Sequence, residues 1–328
     1  MPSTPPDTPI HVRVLANRQG RPGALLWRVA PEGVGGLLPW LAQEGTQALA
    51  GRTPCLWVAN DVAEWPEAVQ KGLSAAGMQT MPAEHLAECG TAFEASDPVR
   101  WIVGEWYLQP PFHPTSAQAA SRANALRLIQ LISTDAETHE LEEVFRHDAH
   151  LSYQLLRLVN SAGVSNGRTI SSFAQAILML GRQALRRWVN LLLFSARDDD
   201  PRSAMLMAHV VLRARGLELL AHDAGLDRAG QDQAFMAGMF SMLGVLFGQP
   251  LEQALRPLNL ALPLQQALLE QTGDLGLLLQ AWQASECGDD ERLQLALSPL
   301  GLSHQDHNRA LPLACDWMLN MTAGASPP

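Results

Sequence analysis

FRHDAHLSYQLLRLVNSAGVSNGRTISSFAQAILMLGRQALRRWVNLLLFSA, residues 145–196, decides how this chain is read. Leu151, Leu155, Leu158, Val159 and Ala162 recur at helical spacing and so share one apolar face, which has to be buried. Asp148 stands where its carboxylate can cap the first free amides, and Gly163 and Gly167 bracket the exit. Ser171 or Ser172 then opens a second helix carrying Phe173, Ile177 and Leu180, which stops at Gly181. A third helix is predicted from about Arg182 to Ala196, with Arg182, Arg186 and Arg187 near its start and an apolar end from Trp188 to Phe194. Short helices on tight turns predict a bundle.

Outward from that stretch, the chain of 328 residues is long enough for two domains. Hydrophobic residues make up 47% and charged residues 17%, a globular composition. A net charge of −10 argues against general affinity for nucleic acid, because phosphate neutralisation needs clustered cations. Cys55, Cys89, Cys287 and Cys315 are far apart and form no CxxC pair, so neither a zinc site nor a disulfide framework is indicated, and reduced thiols in the cytoplasm are expected. Residues 1–9 and 323–328 are expected to be disordered tails. The first of these has no signal-peptide pattern, and no apolar run approaches the roughly 18 residues that cross a bilayer.

From Ile10 to Pro111 the texture is mixed. Ile10 to Ala16, Ala24 to Ala30, Cys55 to Ala59 and Trp101 to Val103 read as strands, while Val34 to Leu49 and Val62 to Ala76 read as helices. The fold class is therefore α+β overall: a small α/β domain over residues 10–112, a proline-stiffened linker at 113–117, and an all-helical domain over 118–322. In the latter, Ala119 to Ile132 is the first helix, and further helices are expected over Leu264 to Leu269, Leu275 to Trp282, Glu291 to Leu297 and Ala310 to Met321.

The order Asp148, Leu151, Leu155, Leu156, Leu158, Val159, Asn160, Ser161, then Ile170, Ser171, Ala176, Ile177, Leu180, Gly181, Leu185 and Arg186 resembles the HDOD domain. The resemblance implies an all-helical signalling module related to the HD metal-dependent phosphohydrolases, with Asp148, Asn160, Ser161 and Gly181 as its structural signature. Ile102 to Pro111 is similar to the closing strand of an EAL domain, and EAL followed by HDOD is a known bacterial arrangement. Only about 100 residues precede the linker, however, against about 250 for an eight-stranded α/β barrel. Neither a Glu-Ala-Leu tripeptide nor an Asp-Asp-Phe stretch occurs. The resemblance thus implies a truncated, catalytically inactive EAL remnant whose open sheet edges are covered by the helical domain or by a second subunit in a homodimer.

HD enzymes converge one upstream His, a His-Asp pair and a further Asp on a cation. The segment Ala234 to Gly248 is similar to the stretch that carries the pair, and here Ser241 and Met242 stand in its place. His209 occupies the position of the first metal His. One imidazole does not make a metal site, so these three residues read as vestigial, and neither a metal nor another cofactor is expected. His222-Asp223 lies elsewhere on the helix: thirteen residues at about 100° each turn His222 about 220° away from His209. His304, Asp306 and His307 read as a solvated polar loop, and Cys287 as part of another loop.

The function expected on these grounds is a non-enzymatic bacterial signalling protein that acts by binding another protein, with Arg182, Arg186 and Arg187 as candidate contacts. A second reading is a non-catalytic receptor for cyclic di-GMP, for which Arg28, Arg100, Trp101 and Trp106 supply suitable side-chain types. A third is a residual HD-type metal-dependent phosphohydrolase. No nucleic acid and no membrane is expected as partner.

Overall fold

The computed structural model describes residues 8–90, 97–109, 116–134, 136–147, 181, 185, 201–256, 258 and 260–323. Of the signature residues, Asp148, Asn160 and Ser161 lie outside this set, as do Arg182, Arg186 and Arg187. Gly181 lies within it, exposed and at a φ of 72°.

The chain divides into two units, one formed by residues 1–109, 196–238 and 262–322, the other by 110–195, 239–261 and 323–328. The first holds a six-stranded sheet. Its strands are β1 (Ile10–Ala16), β2 (Pro22–Val29), β3 (Cys55–Val58), β4 (Gln79–Met81), β5 (Leu86–Glu88) and β6 (Trp101–Val103), in the order β4-β3-β2-β1-β6-β5. β1 runs antiparallel to both β2 and β6; β2, β3 and β4 are mutually parallel, as are β5 and β6.

The β1–β2 hairpin follows from its residues. Both segments are rich in β-branched and large apolar side chains, and Asn17 closes the turn by accepting from the backbone amides of Gln19 and Arg21. Leu15, Ala24, Leu26, Leu56, Met81 and Val103 form one core cluster of the sheet. Trp27 and Trp40 meet edge to face at 4.9 Å, both almost fully buried.

The helices between strands are shorter than the sequence predicts. The single helix expected over Val34 to Leu49 is a 3-10 turn at Pro31–Gly36 followed by α1 (Leu37–Leu41) and α2 (Glu44–Ala50). Gln43 between them is extended, and the glycines at 35 and 36 with Pro39 weaken continuous helix. The helix expected over Val62 to Ala76 is split into α3 (Ala59–Ala63) and α4 (Glu67–Ala75), because Pro66 disfavours helical backbone at the residue before it.

In the second unit, α5 (Ser116–Ser133) and α6 (Thr138–Arg146) pack on each other and bury Leu128, Ile129, Ile132, Leu141 and Val144. α9 (Leu243–Phe247) and α10 (Leu251–Leu255) also belong to this unit, while α7 (Pro201–Asp223) and nearly all of α8 (Arg228–Phe240) belong to the first. The first unit is completed by α11 (Leu262–Leu269), α12 (Gly273–Cys287), α13 (Asp290–Leu297) and α14 (His304–Ala323).

Both α7 and α12 pack against β1 and against each other. Their approach is close because Gly216 of α7 lies under the Trp282 ring, where an added Cβ would stand 2.0 Å from a ring carbon. The amide of Ile10 donates to Asn308 Oδ1 at 2.8 Å, and Asn308 Nδ2 donates to the carbonyl of Thr8 at 2.9 Å. Asn308 thereby serves the start of β1 much as a neighbouring strand would. Trp40 Nε1 donates to the Asn308 carbonyl at 3.0 Å.

His304, Asp306 and His307 are not a solvated loop. They form the first turn of α14, where Asp306 accepts from the amide and hydroxyl of Ser303 and His307 is fully buried. Burial, followed by the nearby His11, pushes the His307 pKa down to about 3.

Candidate active site

Gly104 sets up one wall of a cavity in the first unit. Its φ of 131° is open to glycine, and a Cβ there would lie 2.0 Å from the Cys89 carbonyl oxygen. The chain turns there into a short 3-10 segment, Trp106–Leu108, that places Tyr107 beside α7. His209 and Arg213 stand four residues apart on α7, hence on one face, and α12 supplies Gln283 and Glu286. With Arg13 of β1, Glu105 and Arg292 of α13, these side chains line a cavity of about 320 Å³.

Arg213 organises the polar wall. Its Nε and one terminal nitrogen donate to the two Glu286 oxygens at 2.9 and 2.5 Å. The same terminal nitrogen lies 3.0 Å from His209 Nε2, and His209 Nδ1 lies 3.1 Å from Tyr107 Oη. The Arg213 side chain is 5% exposed and that of Glu286 19%. Burial alone would raise the Glu286 pKa, but the Arg213 guanidinium and His209 outweigh it and hold the carboxyl below its usual range. Burial pushes His209 down to about 4, so the imidazole is neutral near pH 7, and burial also pushes the Tyr107 phenol up. Three arginines and two glutamates line the cavity, in a chain whose net charge is −10. Such a wall suits an anionic ligand.

His209, read from the sequence as the counterpart of a first metal ligand, is engaged by Arg213. Arg213 engages both Glu286 oxygens and His209 Nε2, so this pair does not fit a divalent cation. Among the described residues no three His, Cys, Asp or Glu side chains converge in a metal-like group. Ser241 is half-buried and Met242 is buried just before α9. His222 is exposed and paired with Asp223, away from His209 as the helical turn requires. Arg28, Arg100, Trp101 and Trp106 do not line the cavity, whereas the adjacent Tyr107 does. Cys287, expected in a loop, ends α12 and lines the cavity too.

Tyr107, Arg213 and Glu286 were not legible as functional residues. The signal available was charge in two otherwise apolar helical runs, Arg213 with Arg215 and Glu218 in MAHVVLRARGLELL and Glu286 near the end of LLLQAWQASEC, since buried charges are rare unless paired.

Residues 121–258 match the HDOD domain. This chain contains an HDOD domain. His209 and Arg213 fall inside the match, while Tyr107 and Glu286 fall outside it. The chain is 33% identical over 178 residues to the cyclic di-GMP phosphodiesterase CdgJ of Vibrio cholerae, covering 54% of this chain and 40% of that protein. It is 28% identical over 155 residues to the uncharacterized protein YuxH of Bacillus subtilis, covering 47% and 37%. The chain thus spans about two fifths of the length of these curated relatives. The crystal structure of a presumed phosphohydrolase from Shewanella amazonensis superposes with a TM-score of 0.44 at 16% identity, over 64% of this chain and 98% of that one.

The likeness to CdgJ overturns the expectation that the chain is not an enzyme and acts only by binding another protein. That expectation was inferred from missing EAL and HD motifs, and motif loss speaks only to those two active sites. Among the described residues no helix is long and apolar enough to cross a membrane.

Proposed function

We propose that this chain hydrolyses a phosphodiester bond of cyclic di-GMP, in the cavity walled by Arg13, Tyr107, His209, Arg213, Glu286 and Arg292. The likeness to a protein named as a cyclic di-GMP phosphodiesterase carries the reading. The cavity supports it chemically. In the reaction a water oxygen adds to phosphorus, the bond to a ribose oxygen breaks, and the departing oxygen takes up a proton. Charge accumulates on the phosphoryl oxygens, where fixed guanidinium groups stabilise it. Arg13 and Arg292 are the cations placed for this, since Arg213 is committed to Glu286.

Residues 10–112 are proposed to descend from an EAL-type barrel. The antiparallel first strand followed by the parallel series β2, β3 and β4 supports that origin. None of the EAL metal chemistry is assigned to it.

The purified chain, incubated with cyclic di-GMP and followed by chromatography, should release a linear dinucleotide. Arg13→Ala should slow that release about tenfold or more, as removal of one charge-stabilising donor does. Absence of any product from the wild-type chain, with and without added divalent cations, would reject the reading.

A further inference from the structure

The hydrogen-bond chain at the cavity wall has a fixed direction. A guanidinium carries donors only, so the Arg213 nitrogen 3.0 Å from His209 Nε2 requires that Nε2 accept. The Glu286 oxygen 3.3 Å from the same Nε2 would favour a proton there, but both Glu286 oxygens already receive shorter bonds from Arg213. In the neutral ring the single proton then sits on Nδ1, which donates to Tyr107 Oη at 3.1 Å. A phenol that accepts from the imidazole must direct its own proton elsewhere, and Tyr107 lines the cavity.

We propose that Tyr107 is the substrate-facing donor of this cavity, presenting its hydroxyl proton to a phosphoryl oxygen, with His209 and Arg213 as positioning residues that fix its orientation. The proposal takes its ligand class, a phosphodiester, from the function proposed above. Arg13 and Arg292 supply the complementary charge: their carboxylate neighbours stand at 3.7 and 3.9 Å, too far for hydrogen bonds, so an entering anion does not have to displace a tight ion pair.

The chain contains two tyrosines, Tyr107 and Tyr153, so 3-fluorotyrosine labelling gives two fluorine resonances, and Tyr153→Phe assigns them. On titration with cyclic di-GMP the Tyr107 resonance should move. By calorimetry Tyr107→Phe should weaken binding about tenfold or more, the loss expected for a hydrogen bond to a charged group. His209→Asn keeps an N–H near the Nδ1 position and should restore most of the affinity that His209→Gln, which mimics Nε2, loses. Cyclic di-GMP binding with an unmoved Tyr107 resonance, or with His209→Asn and His209→Gln equally impaired, would overturn this proposal and leave the proposed function standing. A moved resonance and weakened Tyr107→Phe binding without hydrolysis would support this proposal and reject the hydrolase. No binding of cyclic di-GMP and no response to inorganic phosphate would overturn both.

Discussion

His209 and His307 are buried imidazoles whose pKa values lie below the ordinary value of about 6.5, at about 4 and about 3. Between those values and 6.5 the unfolded chain binds protons that the native chain refuses. Stability is therefore fully present above about pH 6.5 and falls as the pH drops toward 4, by up to about 1.4 kcal/mol per pH unit for each histidine. The Glu286 carboxyl adds to this at lower pH. Its pKa is depressed in the native state, so its contribution is present above the ordinary carboxylate value and is lost as pH falls through the native one. Melting temperatures measured from pH 7 to pH 4 should decline, and His307→Gln, which cannot titrate, should give a shallower slope. An unchanged slope would place the acid sensitivity elsewhere. Of these groups, His209 was singled out in the sequence through its family position. His307 was misread, because a polar HQDH segment carries no sign of the Trp282 ring and His11 that enclose it.

The contact between α7 and α12 depends on a residue without a side chain. Gly216 admits the Trp282 ring, so Gly216→Ala should force the two helices apart or turn the ring out of place, at about 1–3 kcal/mol or more. Thermal unfolding checks this, and the double variant with Trp282→Leu should lose less than the two single variants together, because they act at one contact. Full retention of the melting temperature in Gly216→Ala would mean that the helices adapt without cost. Elements with strong patterning were legible: Ile10–Ala16 and Trp101–Val103 form as read, and the helices expected from Leu264 to Met321 are present with longer ends. β4 and β5 were not, since three residues contain too little alternation to separate a strand from a loop. Pro66 was visible in the sequence, but the apolar spacing on either side of it suggested one helix where there are two.

At the scale of the molecule, the boundary between α/β and helical sequence near residue 112 does not separate the contacts of the first unit. His11 Nδ1 lies 3.0 Å from the Ser285 carbonyl and its Nε2 2.7 Å from Asp290 Oδ1, Trp40 donates to the Asn308 carbonyl, and Arg52 pairs with Asp316. A fragment of residues 1–112 should therefore lack a cooperative thermal transition and near-ultraviolet circular dichroism. A cooperatively melting fragment would show that the sheet is self-sufficient and would establish residues 10–112 as an autonomous domain. The composition signalled an α/β segment before a helical one, but not that helices from the far end of the sequence complete it, because periodicity reports which face is apolar and not what covers it. The Asn308 side chain, bonded to Ile10 and Thr8, also bears on how the protein is made. At about 5–20 residues per second on the ribosome, β1 emerges many seconds before the amide that secures it, and its edge stays without that partner until α14 has been synthesised.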